Sequence, residues 1–177
     1  FYNVNVEGTK ALLHNCRGLE NQNTFKRLVF ISSISAVDRP LGLKSEGAMT
    51  ELTPPLPNTD YGKSKLISES LIRQSKLPYT ILRPSYIYGP HPRLGSSMDR
   101  LIYDVAKGKP YTQIPFPGRA SEIHAQDLAD CIWHCAKHPD AKNQIFFAAT
   151  PKPAKIAEVF PLIASALNMD YTPRDLS

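Results

Sequence analysis

The feature that most constrains this chain is an unbroken apolar run, Arg27-Leu28-Val29-Phe30-Ile31-Ser32, entered from a polar segment. A strand with one wet face alternates apolar and polar residues. A continuous run reads as a strand buried on both faces, which is typical of parallel sheets. A parallel partner needs a long crossover, and one follows. The connection from Ser33 to Thr59 is punctuated by Pro40, Pro54, Pro55 and Pro57. Tyr61 to Ser75 then has helical spacing, with Leu66, Ile67, Ser70, Leu71 and Ile72 expected on its inner face. Pro78 ends the crossover, and Tyr79-Thr80-Ile81-Leu82-Arg83 is a second strand, expected to stop at Pro84. Strand, helix and strand make one parallel βαβ unit with a right-handed connection.

Other elements flank this unit. Helices are predicted over Asn5–Cys16, Ser97–Lys107, Asp127–His138 (with Asp127 as a cap) and Ala154–Leu167, and a strand over Gln144–Ala148. The texture changes beyond Gly89-Pro90-His91-Pro92, which suggests one region over residues 1–92 and another over 93–177.

The 177 residues carry a net charge of +5, with the basic residues scattered. Scattered charge reads as a solvated surface, so no nucleic-acid partner is expected. No apolar run approaches the ~18 residues of a membrane span, so none is expected to enter a bilayer. The start, Phe1-Tyr2-Asn3-Val4-Asn5, has neither the basic nor the apolar part of a secretory leader, and it lacks Met, which suggests a fragment. Three cysteines (Cys16, Cys131, Cys135) cannot all pair, and a reducing cytoplasm is the simplest home. Cys131, His134, Cys135 and His138 invite a metal reading. However, Cys131 and Cys135 share a helical face with Leu128 and Ile132, which reads as core, so no metal site is expected.

The chemistry concentrates in Tyr61-Gly62-Lys63-Ser64-Lys65. Tyrosine and lysine four apart lie on one helical face. A free phenol, with a pKa near ~10, is a poor base at neutral pH, but a nearby ammonium favours the phenolate. Such a pair can exchange a proton with a substrate oxygen while hydride moves elsewhere. Alone the spacing is weak, since a surface tyrosine beside a surface lysine is common. Ser32-Ser33 strengthen it: they end the first strand, and ligands bind at the carboxyl ends of strands in open parallel sheets.

The combination resembles the extended short-chain dehydrogenase/reductase family, of the NAD-dependent epimerase/dehydratase type. Five stretches match in order: Asn5-Val6-Glu7-Gly8-Thr9, Leu28 to Ser33, Thr50-Glu51-Leu52-Thr53-Pro54-Pro55, Tyr61 to Lys65 with Glu69 after it, and Leu82-Arg83-Pro84-Ser85-Tyr86-Ile87-Tyr88-Gly89-Pro90. The resemblance implies an α/β fold: the C-terminal part of a Rossmann-like, doubly wound parallel sheet over residues 1–92, and a small mixed α/β substrate-binding region over 93–177, some of which packs back on the sheet.

The resemblance also implies roles. Tyr61 would be the general acid/base, Lys65 would support it and bond the nicotinamide ribose, and Ser33 would hold the substrate oxygen. Ser32, Ser33, Tyr61, Lys65, Pro84 and Ser85 are expected along the cofactor, NAD or NADP. Ser33, Tyr86 and Arg119 are expected against the substrate. Asn5 is expected to brace the helix and strand near the site. Arg119 is either a diphosphate clamp or an ordinary exposed arginine, because Ala120-Ser121-Glu122 replace the charged pair usual before Ile123-His124-Ala125-Gln126-Asp127 in nucleotide-sugar members. Tyr86, Tyr88 and Phe116 are either pocket walls or packing.

The implied activity is hydride transfer on a nucleotide-sugar or related carbonyl or alcohol substrate. A 3β-hydroxysteroid-dehydrogenase-like ketone reductase is the alternative within the family. A non-catalytic relative that senses the dinucleotide or binds a protein is the alternative outside enzymes. The glycine-rich turn that would hold a pyrophosphate is not among these residues. About a hundred further upstream residues are therefore expected, with a homodimer for the complete protein. The fragment alone is expected to be poorly soluble or to oligomerise through exposed strand edges.

Overall fold

The computed structural model describes residues 1–22, 24–38, 48–92 and 94–174. In chain order these form a π-helical segment (Asn3–Glu7), α1 (Gly8–Asn15), β1 (Leu28–Ile31), a 3-10 turn (Ile34–Ala36), α2 (Asp60–Gln74), β2 (Tyr79–Pro84), β3 (Tyr86–Tyr88), α3 (Ser97–Ala106), β4 (Arg119–Ala120), β5 (Glu122–His124), α4 (Ala125–Lys137), β6 (Gln144–Ala148), β7 (Ala154–Lys155) and α5 (Ile156–Ala166). Residues 39–47 of the expected long connection, Pro40 among them, lie outside the described residues. The chain divides into two compact units, Phe1–Ser85 with Asp127–Ala148, and Tyr86–Gln126 with Ala149–Ser177.

The first unit is built on a parallel sheet of order β1-β2-β6. Phe30 pairs with Ile81 and Ile31 with Leu82, while Ile81 pairs with Ile145 and Leu82 with Phe146. The expected βαβ unit is present, but burial is distributed differently from expectation. All four β1 residues are only half-buried, and the strand enclosed on both faces is the central one, β2. Ile81 and Leu82 on β2 and Ile72 on α2 are closed off from solvent, and each such burial contributes about 1.5–3 kcal/mol. β2 also runs one residue past its expected end, with Pro84 opposite Ala148.

Helix α2 starts where its capping chemistry directs. The Thr59 Oγ1 accepts from the Gly62 N–H at 3.0 Å, Asp60 lies in the first turn and Arg73 in the last. Its inner face departs from the apolar stripe expected. Gly62, Ser64, Ser68, Glu69 and Ile72 are buried, whereas Ile67 is exposed. The reason is that the neighbours are polar. Asn5 Nδ2 donates to Ser64 Oγ at 2.9 Å, and Ser68 Oγ donates to the Asn5 carbonyl at 2.9 Å. Thr9 Oγ1 donates to that same carbonyl at 2.6 Å. Two hydroxyls draw on one carbonyl where the helix widens to π form, a place where backbone groups become available to side chains. Asn5 therefore braces two helical segments rather than a helix and a strand.

In the second unit β3 pairs in parallel with β5, and β4 pairs antiparallel with β7. β3, β4, β5 and β7 were not expected; all four are too short to show a period. Val105 on α3 and Phe160 and Ala164 on α5 form a small core, flanked by Leu101, Ile156, Ile163 and Tyr171. Asp127 is not the cap of α4. It lies in the first turn, where its charge suits the helix N-terminus, and the His124 ring nitrogen accepts from the Gln126 N–H at 3.3 Å. Among the described residues no helix is long and apolar enough to cross a membrane.

Candidate active site

The carboxyl ends of β1 and β2 adjoin: the Ser32 N–H donates to the Leu82 carbonyl at 2.7 Å. Ser33 follows and caps the 3-10 turn, its Oγ accepting from the Ser35 N–H at 3.1 Å. A hydroxyl that accepts in this way still carries its own proton to donate. Successive side chains at a strand end point to opposite sides, and Ser32 illustrates this. It is buried and donates to Glu69 Oε1 at 2.5 Å, so its hydroxyl is committed to the protein.

Helix α2 brings Tyr61 and Lys65 to this end of the sheet. Its first turn rests on the turn after Ser33 so closely that a β-carbon on Gly62 would lie 2.1 Å from the Ser35 carbonyl oxygen. Only glycine permits that approach. One helical turn on, Lys65 Nζ donates to the Ile31 carbonyl at 2.9 Å. It lies 5.1 Å from the Phe30 ring centroid and 5.9 Å from that of Tyr61. Burial pushes the Lys65 ammonium below the usual lysine range, and the Glu69 carboxylate opposes that shift. The half-buried Tyr61 ring also meets Phe1 edge-on, with centroids 5.3 Å apart.

The structure thus gathers Ser32, Ser33, Tyr61, Lys65, Pro84 and Ser85 in the first unit. Pro84 is buried at the end of β2, and Ser85 donates its N–H to the Ala148 carbonyl at 3.0 Å. Tyr86 and Arg119 belong to the second unit. Tyr86 is exposed on β3. Arg119 is exposed on β4, donates to the Pro153 carbonyl at 3.0 Å, and lines a cleft of about 350 Å³ with Phe116, Gly118 and Lys155.

Sequence reasoning missed one group of residues. Arg83 Nε and Nη2 donate to the two oxygens of Glu69 at 2.9 and 2.6 Å, a bidentate pair in which Arg83 is 4% exposed and Glu69 not at all. The signal was available: Glu69 lies four residues beyond Lys65 and eight beyond Tyr61, on the same helical face. Glu51 was also missed. Its carboxylate accepts from the Phe147 N–H at 2.9 Å and so covers β6.

The cysteine face of α4 needs correction. Cys131 is exposed and Cys135 half-buried. They do not sit in a closed core but wall an open cleft of about 530 Å³, with Leu82, His138 and Phe146. Burial and the neighbouring Cys131 raise the Cys135 thiol above its usual range. Among the described residues no group of three or more His, Cys, Asp or Glu side chains is arranged to hold a metal.

Comparison with known proteins bears on the family and the fold. The model of the NAD dependent epimerase/dehydratase family matches residues 1–149. A UDP-glucose 4-epimerase of Vibrio cholerae is 32% identical over 158 residues, which is 81% of this chain and 44% of that protein. The fold is shared with the UDP-glucuronic acid 4-epimerase of Bacillus cereus solved with UDP-glucuronic acid and NAD (TM-score 0.76, 21% identity, 97% of this chain and 54% of that one). It is shared also with a dTDP-glucose 4,6-dehydratase of Bacillus anthracis str. Ames solved with NAD (TM-score 0.74, 23% identity, 96% and 54%). The chain spans less than half the length of the Vibrio relative and about half of each solved structure.

Proposed function

The chain belongs to the NAD dependent epimerase/dehydratase family, and from that premise we propose that it carries the proton-transfer centre of an NAD-dependent enzyme acting on a nucleotide-sugar. The observation that carries this reading is Lys65. Its ammonium is anchored on the Ile31 carbonyl at the carboxyl end of β1 and stands 5.9 Å from the Tyr61 ring centroid.

In this reading Tyr61 Oη gives a proton to, or takes one from, a sugar oxygen. The Lys65 charge stabilises the negative charge that develops on Oη. Ser33 donates its hydroxyl proton to the same sugar oxygen and fixes its orientation. The residues present suit a dinucleotide. One Lys65 N–H is spent on Ile31, which leaves two donors for ribose hydroxyls, and Pro84 and Ser85 offer a firm wall at the end of β2. When bound, the nicotinamide supplies the hydride acceptor and donor. Arg119 would clamp the substrate diphosphate from β4, and Tyr86 would lie against the sugar or base. A cytoplasmic homodimer acting on a small molecule completes the proposal.

The test uses the full-length protein with NAD and a panel of UDP-glucose, UDP-glucuronate and dTDP-glucose. Tyr61→Phe should lose about 10²–10⁴-fold in kcat, the usual contribution of a positioned acid/base. Turnover unchanged in Tyr61→Phe would remove Tyr61 from the chemistry.

A further inference from the structure

We propose that Glu69 is a positioning residue of this site, one whose carboxylate sets the carboxyl ends of β1 and β2 against the helix that carries Tyr61 and Lys65. The inference rests on the functional reading above, but its geometry stands alone. Three elements converge on one buried group: Ser32 from the end of β1 at 2.5 Å, Arg83 from the end of β2 at 2.9 and 2.6 Å, and α2, which supplies Glu69 itself.

The bonds are directional. A bidentate guanidinium fixes the plane of the carboxylate, and the Ser32 hydroxyl then has one place to meet Oε1. Ser32 adjoins both Ile31, whose carbonyl holds Lys65, and Ser33. A change at Glu69 would therefore be transmitted to both groups within one residue.

Stability alone does not account for such a pair. Buried ion pairs stabilise no better than apolar side chains of similar volume. Among the described residues the other buried side chains of this unit are uncharged: Ile72, Ile81 and Leu82 are apolar, and Ser64, Ser68 and Thr80 carry hydroxyls. The charged pair stands at the strand ends where the reacting atoms would sit, which is where angular precision matters and bulk burial does not supply it.

Charge adds a second effect. The groups facing Lys65 are Tyr61 and Glu69 from α2, the Phe30 ring and Ile31 carbonyl from β1, and, through Glu69, Arg83 from β2. Glu69 is the acidic one that counters the desolvation of Lys65. Without it Lys65 should lose its proton at lower pH, and the alkaline limb of kcat should move the same way.

The experiment compares two variants of the full-length protein. Glu69→Gln leaves Arg83 buried without its partner and risks misfolding. The double variant Glu69→Leu with Arg83→Met removes both charges and is expected to unfold cooperatively near the parent's midpoint. Each is assayed for kcat and KM with NAD and UDP-glucose. Lys65 is titrated by NMR of its 15N-labelled ammonium with Lys65→Arg as the assignment reference.

The expected result is a folded double variant with kcat down about 10²-fold, KM changed far less, and a Lys65 titration moved to lower pH. A folded double variant that keeps kcat within about threefold, or an unmoved Lys65 titration, would overturn the proposal and leave the pair structural. If the parent turns over nothing on the panel, the functional reading fails, while the titration still decides whether Glu69 governs Lys65.

Discussion

Replacing Gly62 by alanine sets two effects of opposite sign against each other. In a helix interior alanine is favoured over glycine by about 1 kcal/mol, so propensity alone predicts stabilisation. The close approach of the turn after Ser33 predicts the reverse. The new β-carbon would lie 2.1 Å from the Ser35 carbonyl oxygen, 2.9 Å from its carbon and 3.1 Å from Pro57 Cβ. The nearest obstacle is backbone, which no side-chain rotation relieves, so α2 and the turn must part by about 1 Å. Overpacking of this kind costs about 1–3 kcal/mol. Sterics therefore win, for a net loss of up to about 2 kcal/mol and a Tm lower by several degrees in a chain of this size.

The displacement falls between Ser33 and Tyr61, and misplacement by about 1 Å costs about 10²-fold in rate. Denaturant unfolding and kcat measured on the same preparations check both numbers. Gly8→Ala is the control: it too is helical, but nothing stands within 4 Å of its added carbon, so it should be neutral or stabilising by about 0.5–1 kcal/mol. Gly62→Ala behaving like Gly8→Ala, with stability and kcat kept, would refute the close-packing argument.

Further outcomes are expected. Lys65 has a lowered pKa in the fold, so it holds fewer protons than the unfolded chain between that value and 10.5. Its charged form burdens the fold at neutral pH, and stability should rise through that window as pH increases. Urea unfolding at several pH values should show this rise in the parent and not in Lys65→Met. Ser68→Ala removes a hydroxyl whose single proton is shared between the Ser64 and Asn5 carbonyls, and should cost about 1–3 kcal/mol by the same measurement. Glu51→Ala uncovers the Phe147 N–H on β6 and should change stability little but hasten association through that strand, read by light scattering on warming.

Much of this was legible in the sequence because it is local. The Leu28–Ile31 strand, the α2 boundaries and the Tyr61–Lys65 spacing each depend on a few consecutive residues, and the structure places both elements within one residue of their expected ends. What escaped depends on partners far along the chain. Ser64, Ser68 and Glu69 look like surface residues until Asn5, Ser32 and Arg83 are brought against them. Ile67 looks like core until α2 is seen to turn its polar side inward. The same cause misplaced Cys131: helical spacing identified its face correctly, but not that the face lines a cleft.

The polar underside of α2 has a mechanical consequence. Two oiled surfaces can slide, because the dispersion attraction given up at one notch returns at the next. A surface keyed by Asn5, Ser32 and Arg83 cannot, since a rotation or one-residue slip breaks several aimed bonds at once and leaves a carboxylate stranded in the dry. Helix α2 is thus indexed rather than merely seated. Random substitution should be able to loosen the protein elsewhere long before it lets Tyr61 drift from its bearing on β1.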